Sequence, residues 1–231
     1  MGRDVEVVIL FANVVGSTQL YDQLGDDQAR EMVGRCLEIM RAATEEHSGS
    51  VIKIMGDEVM STFPVADDAM NAAKQMQEKI SADTSLRHGD GHVAIRVGCH
   101  FGPVVQENRD IFGSAVHTAN RMTSQAKAQQ IITTSETVEQ FSDEWSGMVR
   151  QIDVAVVRGK ADEVVLFEVL WQPDEATSML PTVGLGRPAS RTKRVRLIFK
   201  GQEVMVGEGV IGLGRVAQPG ASSAVHYIVE D

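Results

Sequence analysis

Apolar residues run without a break through Val7-Val8-Ile9-Leu10-Phe11-Ala12 and stop at Asn13-Val14-Val15-Gly16-Ser17-Thr18, which predicts an apolar strand feeding a helix start. The period then lengthens: Leu20, Leu24, Met32, Cys36, Leu37, Met40 and Ala43 recur at helical spacing. One helix is expected there, capped by Ser17 or Thr18 and ended by the glycine terminator at His47-Ser48-Gly49. Residues 51–63 hold two β-rich runs flanking Met55-Gly56-Asp57, a hairpin with Asp57 at its tip. Phe63-Pro64 closes it, and a second helix begins at Ala66-Asp67-Asp68-Ala69, with Ala69, Ala73, Met76 and Ile80 on one face.

Farther along, His88-Gly89-Asp90-Gly91-His92 reads as a solvated turn, because its two glycines oppose the helix that would put both histidines on one side. Residues 93–101 alternate as a strand, which Gly102-Pro103 is expected to break before Val104-Val105. Gly113-Ser114 opens a helix in which His117 and Arg121, four apart, share a face. A short strand at 131–134, a helix start at Ser135-Glu136-Thr137, and a closing antiparallel hairpin of 149–157 with 164–170 complete the first part. This order predicts an α+β fold, one mixed or antiparallel sheet backed by helices.

Composition narrows the class. The 231 residues, 43% of them hydrophobic, suffice for one full domain and part of a second. A net charge of −10 argues against a nucleic-acid partner, which needs clustered Lys and Arg, yet permits a local nucleotide site. With only Cys36 and Cys99 there is no disulfide framework, so a reduced, cytoplasmic protein is expected. No window approaches the roughly 20 apolar residues of a membrane span, so no membrane partner is expected either.

Taken alone, Gly56-Asp57 is an ordinary surface turn and Lys53 an exposed strand residue. Their company changes this. A carboxylate on a turn is placed to hold a metal, Lys53 points to one sheet face where it can read a ligand, and Gly16-Ser17-Thr18 offers a helix N-terminus to phosphate. Together these stretches point to a nucleoside triphosphate with a metal ion.

Four ordered segments carry a family resemblance: Phe11-Ala12-Asn13-Val14-Val15-Gly16-Ser17-Thr18, Lys53-Ile54-Met55-Gly56-Asp57, the run from Asp110 through Gly113, Val116, His117 and Ala119 to Arg121, and Val157-Arg158-Gly159. Over residues 5 to 171 the chain resembles the class III adenylyl/guanylyl cyclase homology domain. The resemblance implies a ferredoxin-like core and a head-to-tail homodimer that turns ATP into cyclic AMP and pyrophosphate at its interface. Two Mg²⁺ or Mn²⁺ ions would sit on Asp57 and on position 13, where Asn13 replaces the family's Asp. Lys53 and Asp110 match the adenine-reading pair, Arg121 the arginine that meets charge on the α-phosphate, and Arg158, in place of lysine, a cation for the outer phosphates. His117 stands where the family has a ribose-orienting asparagine. The two departures in one site leave a second expectation open, a cyclase-fold module that binds ATP or only dimerises.

Residues 173–192 turn to Pro, Gly, Ser and Thr and read as a linker after a domain spanning 1–172. Residues 193–231 alternate around Lys200-Gly201 as a hairpin followed by Ile211-Gly212-Leu213-Gly214-Arg215, a short C-terminal β segment. That run resembles the opening of a forkhead-associated (FHA) domain. The family's Ser and His motif has no counterpart before Asp231, so a phosphoprotein partner is expected only with a complete domain.

Overall fold

The structure is a computed structural model and describes residues 2–89, 91–156 and 163–172 and the strand segments 195–199, 202–206, 211–212 and 228–229. Two units divide at residue 180. In the first, β1 (Arg3–Val14) leads to α1 (Ser17–Leu24) and α2 (Asp26–Glu46), then to the hairpin β2 (Ser50–Met55) and β3 (Glu58–Phe63) and to α3 (Ala66–Ala82). A 3-10 turn and the two-residue strands β4 (Arg87–His88) and β5 (Gly91–His92) precede β6 (Ile95–Glu107), β7 (Asp110–Phe112) and α4 (Ser114–Gln125). The unit ends with β8 (Ile131–Thr134), α5 (Ser135–Val138), α6 (Asp143–Ser146), β9 (Val149–Val156) and β10 (Glu163–Val169).

Apart from β4 and β5, which pair only with each other, the strands of this unit form one sheet in the order β2-β3-β1-β6-β8-β10-β9, with β7 also paired to β6. Pairing is antiparallel except between β6 and β8, which α4 connects. Residues 8–12 of β1 are buried on both faces. Val8, Leu10, Ala12 and Val14 pack with α2 and α3, while Ile9 and Phe11 pack with Ala115 and Ala119 of α4. Helices therefore cover both sides, and the expected α+β core with a mixed sheet is present.

Three local expectations change. The single helix is two, because Gly25, at φ 79, ends α1 and precedes α2, a positive-φ conformation that costs glycine little. Strand β6 runs straight through Gly102-Pro103. The Phe101 N–H points away from β1, to Thr137 Oγ1, so the donor that Pro103 lacks would lie on that same side, where neither β8 nor β7 pairs with it. The segment around His88 and His92 is a small hairpin rather than a solvated turn, and both ring nitrogens of His92 lie within 3.0 Å of the backbone carbonyls of Val93 and Asp83. Cys36 and Cys99 are free and buried, and burial pushes both thiols up to about 12, which keeps them unreactive.

In the second unit, β11 (Val195–Phe199) pairs antiparallel with β12 (Gln202–Val206), the hairpin expected from the alternation. Strands β13 (Ile211–Gly212) and β14 (Ile228–Val229) pair likewise. The expected linker at 173–192 lies outside the described residues.

Packing of α4 onto the sheet depends on Gly98: a Cβ there would lie 1.9 Å from the Thr123 backbone nitrogen. Backbone cannot yield as a flexible side chain does, so Gly98→Ala is expected to cost about 3 kcal/mol, the upper part of the range for overpacking. Urea unfolding of the two proteins measures it, and an unchanged midpoint would contradict the close approach.

Candidate active site

The end of β1 is tied on both flanks. Val14 N–H donates to the Asp57 carbonyl at 3.1 Å, and Val15 N–H donates to the Ala94 carbonyl at 2.8 Å. Gly56, at φ 63, takes the first position of the two-residue turn between Met55 and Glu58, a place where glycine is favoured. The turn brings Asp57 back to Asn13, whose Nδ2 donates to Asp57 Oδ1 at 3.2 Å. On the other flank Arg96 Nε donates to Asn13 Oδ1 at 3.0 Å.

Asn13 faces Glu58 on β3 and Arg96 on β6, so the three form one row across the sheet. Burial raises the Glu58 carboxyl above its ordinary pKa, the Asp57 charge adds to this, and Arg96 opposes it. Neither Glu58 nor Arg96 stood out in the sequence. The available signal was Arg96 itself, a charge inside the apolar stretch from Ile95 to Cys99, but its partner follows only from the strand register.

Gly16 precedes α1 in the left-handed conformation, and Ser17 and Thr18 lie inside the helix with no side-chain cap, unlike the capping role expected of them. Both line a shallow pocket of about 360 Å³ together with Asp22, Gly56 and Asp57. Here the free N–H end of a helix meets a carboxylate, which suits a phosphate and a cation together. Larger hollows of about 510 and 840 Å³ border the β4–β5 hairpin and α2 and contain none of the predicted site residues.

A second group sits where β2 approaches β7. Lys53 Nζ donates to both Asp110 oxygens, at 2.9 and 2.8 Å, and the Ile111 N–H donates to Asp110 Oδ1 at 2.9 Å. The Lys53 hydrogen bond, followed by that from Ile111, holds the Asp110 carboxyl below its usual range. Both side chains are over a third or about a third exposed, so the pair matters for geometry more than for stability. His117 and Arg121 form a third group on α4, the first exposed and the second half-buried. Among the described residues, the Lys53 bonds run to Asp110 and the Asn13 bonds to Asp57 and Arg96, and no hydrogen bond joins one group to another. Arg158 lies outside the described residues.

The domain is thus a doubly covered mixed α+β sheet that carries a carboxylate at one hairpin tip and a separate Lys–Asp pair between β2 and β7. The adenylate and guanylate cyclase catalytic domain matches residues 1–169, and the chain belongs to that family. It is 29% identical over 124 residues to an adenylate cyclase of Streptomyces griseus, covering 54% of this chain and 30% of that protein. The chain thus spans under a third of that relative's length. The fold is shared with the catalytic core of a rhodopsin-guanylyl cyclase of converted specificity in complex with ATPαS, at TM-score 0.65 and 20% identity over 73% of this chain and 98% of the other. It is shared also with the adenylyl cyclase CyaB of P. aeruginosa, at TM-score 0.64 and 21% identity over 73% and 95%. No helix among the described residues is long and apolar enough to cross a membrane.

The depressed Asp110 pKa gives a pH test with a definite sign. Between its folded value and the ordinary value near 3.9, the folded chain binds fewer protons than the unfolded one. The stabilisation from this pair is therefore complete above the ordinary value and vanishes as pH falls through the folded one. Carboxyl NMR of Lys53→Gln should show Asp110 titrating at higher pH than in the parent, and coincident curves would exclude the ion pair.

Proposed function

We propose that residues 1–172 form an adenylyl cyclase that converts ATP to cyclic AMP and pyrophosphate in a head-to-tail homodimer. The observation that carries this reading is the two-pronged Lys53–Asp110 pair. Held together, an ammonium and a carboxylate present a donor and an acceptor side by side, which match adenine N1 and the 6-amine. Guanine offers an N–H and a carbonyl at those positions, so the same pair opposes it.

The pocket at Asp57 receives the triphosphate, with the α1 N-terminus at Ser17 and Thr18 donating to phosphate oxygens. Asp57 is an oxygen anion suited to Mg²⁺ or Mn²⁺, and such an ion, when bound, neutralises the triphosphate and acidifies the ribose 3′-hydroxyl. The 3′-oxygen bonds to the α-phosphorus as the bond to the pyrophosphate oxygen breaks, releasing the hydroxyl proton. Arg121 supplies a fixed cation to the charge that develops on the α-phosphate, and His117 orients the ribose. Arg158 adds a charge for the outer phosphates.

Separation of the three groups within one chain supports a site shared between two. Exposed apolar residues beside the Lys53–Asp110 pair, Ile54, Met55, Val105 and Phe112, the last 53% exposed, offer a surface for the second copy. The alternative, a module that binds ATP or dimerises without turnover, is favoured by the neutral Asn13 beside Asp57. The FHA-like segment adds no group to this reading.

Cyclic AMP formation with Mg²⁺ and with Mn²⁺ separates the two readings, and no product with either ion leaves the silent module. ATP is expected to bind more tightly than GTP by roughly 1–3 kcal/mol, the cost of leaving buried polar groups unpaired. Lys53→Glu should erase that preference, and equal affinities in the parent would reject the base assignment. If the site is shared, mixing the inactive Lys53→Glu and Asp57→Asn chains restores activity by pairing one intact Asp57 with one intact Lys53. Mixtures as inactive as either chain alone would refute head-to-tail sharing.

A further inference from the structure

The hydrogen bonds around Asn13 determine which way its amide faces. A guanidinium only donates, so the Asn13 atom facing Arg96 Nε at 3.0 Å is the carbonyl oxygen. The amino group is then left to face Asp57, to whose Oδ1 it donates at 3.2 Å. Neither half of the amide is open to a cation. The amino group has no lone pair to give, and the oxygen lies against a permanent positive charge. Turning the amide over would set its amino group against the guanidinium and its oxygen against the Asp57 carboxylate, donor to donor and acceptor to acceptor.

We propose that Arg96 is a positioning residue that withdraws Asn13 from metal coordination, so that the centre built on Asp57 takes one divalent cation. This rests on the cyclase reading above and deepens it. Two carboxylates at positions 13 and 57 would place two anions beside Arg96 and could hold two cations, whereas Asn13 leaves one anion, already in contact with an amide donor. Arg96 is tied to this arrangement by strand register, because it stands directly opposite Asn13 across β1 and β6.

The test counts bound Mn²⁺ by electron paramagnetic resonance in protein saturated with 3′-deoxy-ATP, which lacks the attacking hydroxyl and cannot cyclise. One Mn²⁺ per nucleotide-loaded site is expected in the parent and two in Asn13→Asp. Two in the parent overturns the proposal. Arg96→Gln, which frees the amide to rotate, should admit a second, weaker Mn²⁺, whereas Arg96→Lys, which keeps a pure donor, should hold the count at one. A count of one in Arg96→Gln, with two in Asn13→Asp, would remove the positioning role from Arg96. Nucleotide binding is measured separately by equilibrium dialysis: a parent that takes up no 3′-deoxy-ATP fails as a cyclase, a result distinct from a loaded site holding two ions.

Discussion

The structure depends on one strand being buried on both sides. Residues 8–12 of β1 have no exposed face: one row of side chains enters the core with α2 and α3, the other enters the core with α4. A slip of one residue would exchange the two rows, sending Leu10 toward α4 and Phe11 toward α2, so both packed layers resist it. That fixed register carries through to the strand end, where Asn13 falls opposite Glu58 and Arg96. The accuracy of the candidate site is thus inherited from the core and needs little rigidity of its own.

Much of this was legible in the chain because the signals were local. The glycine-led turn at Asp57, the helix start after Gly113 and the apolar run of β1 each depend on a few neighbouring residues. Lys53 and Asp110 could be paired only through the family resemblance, and the structure places them in contact. Readings failed where a local signal had a non-local answer. The helical spacing from Leu20 to Ala43 reads as one helix, but the chain breaks at Gly25, whose positive φ separates α1 from α2. Pro103 looked like a strand end, although its missing donor faces a flank where, among the described residues, no strand pairs with it. Arg96 and Glu58 were invisible as site residues, since their relation to Asn13 exists only across strands.

Electrostatics act on two scales. The chain carries a net charge of −10, a field that opposes the approach of a triphosphate and that salt would weaken over about 8–10 Å. Each of the three candidate groups carries its own cation: Lys53 bound to Asp110, Arg96 bound to Asn13, and Arg121 on α4. In the proposed cyclase, discrimination among anions would fall to the geometry of these few groups.

Pro103 gives β6 a property that ordinary strands lack. Residues 97 and 98 pair with β8 and residues 105 to 107 with β7, and between them the proline supplies no donor on that flank. The sheet therefore forks at this point into two branches. Gly113, at the start of α4, sits in the crotch, where even a Cβ would come within 3.2 Å of the Pro103 carbonyl oxygen. Among the described residues, no ladder pairing joins the branch that carries Asp110 to the branch that carries the closing hairpin. The helix that bears His117 and Arg121 leaves one branch and enters the other, so it is the covalent strut between them.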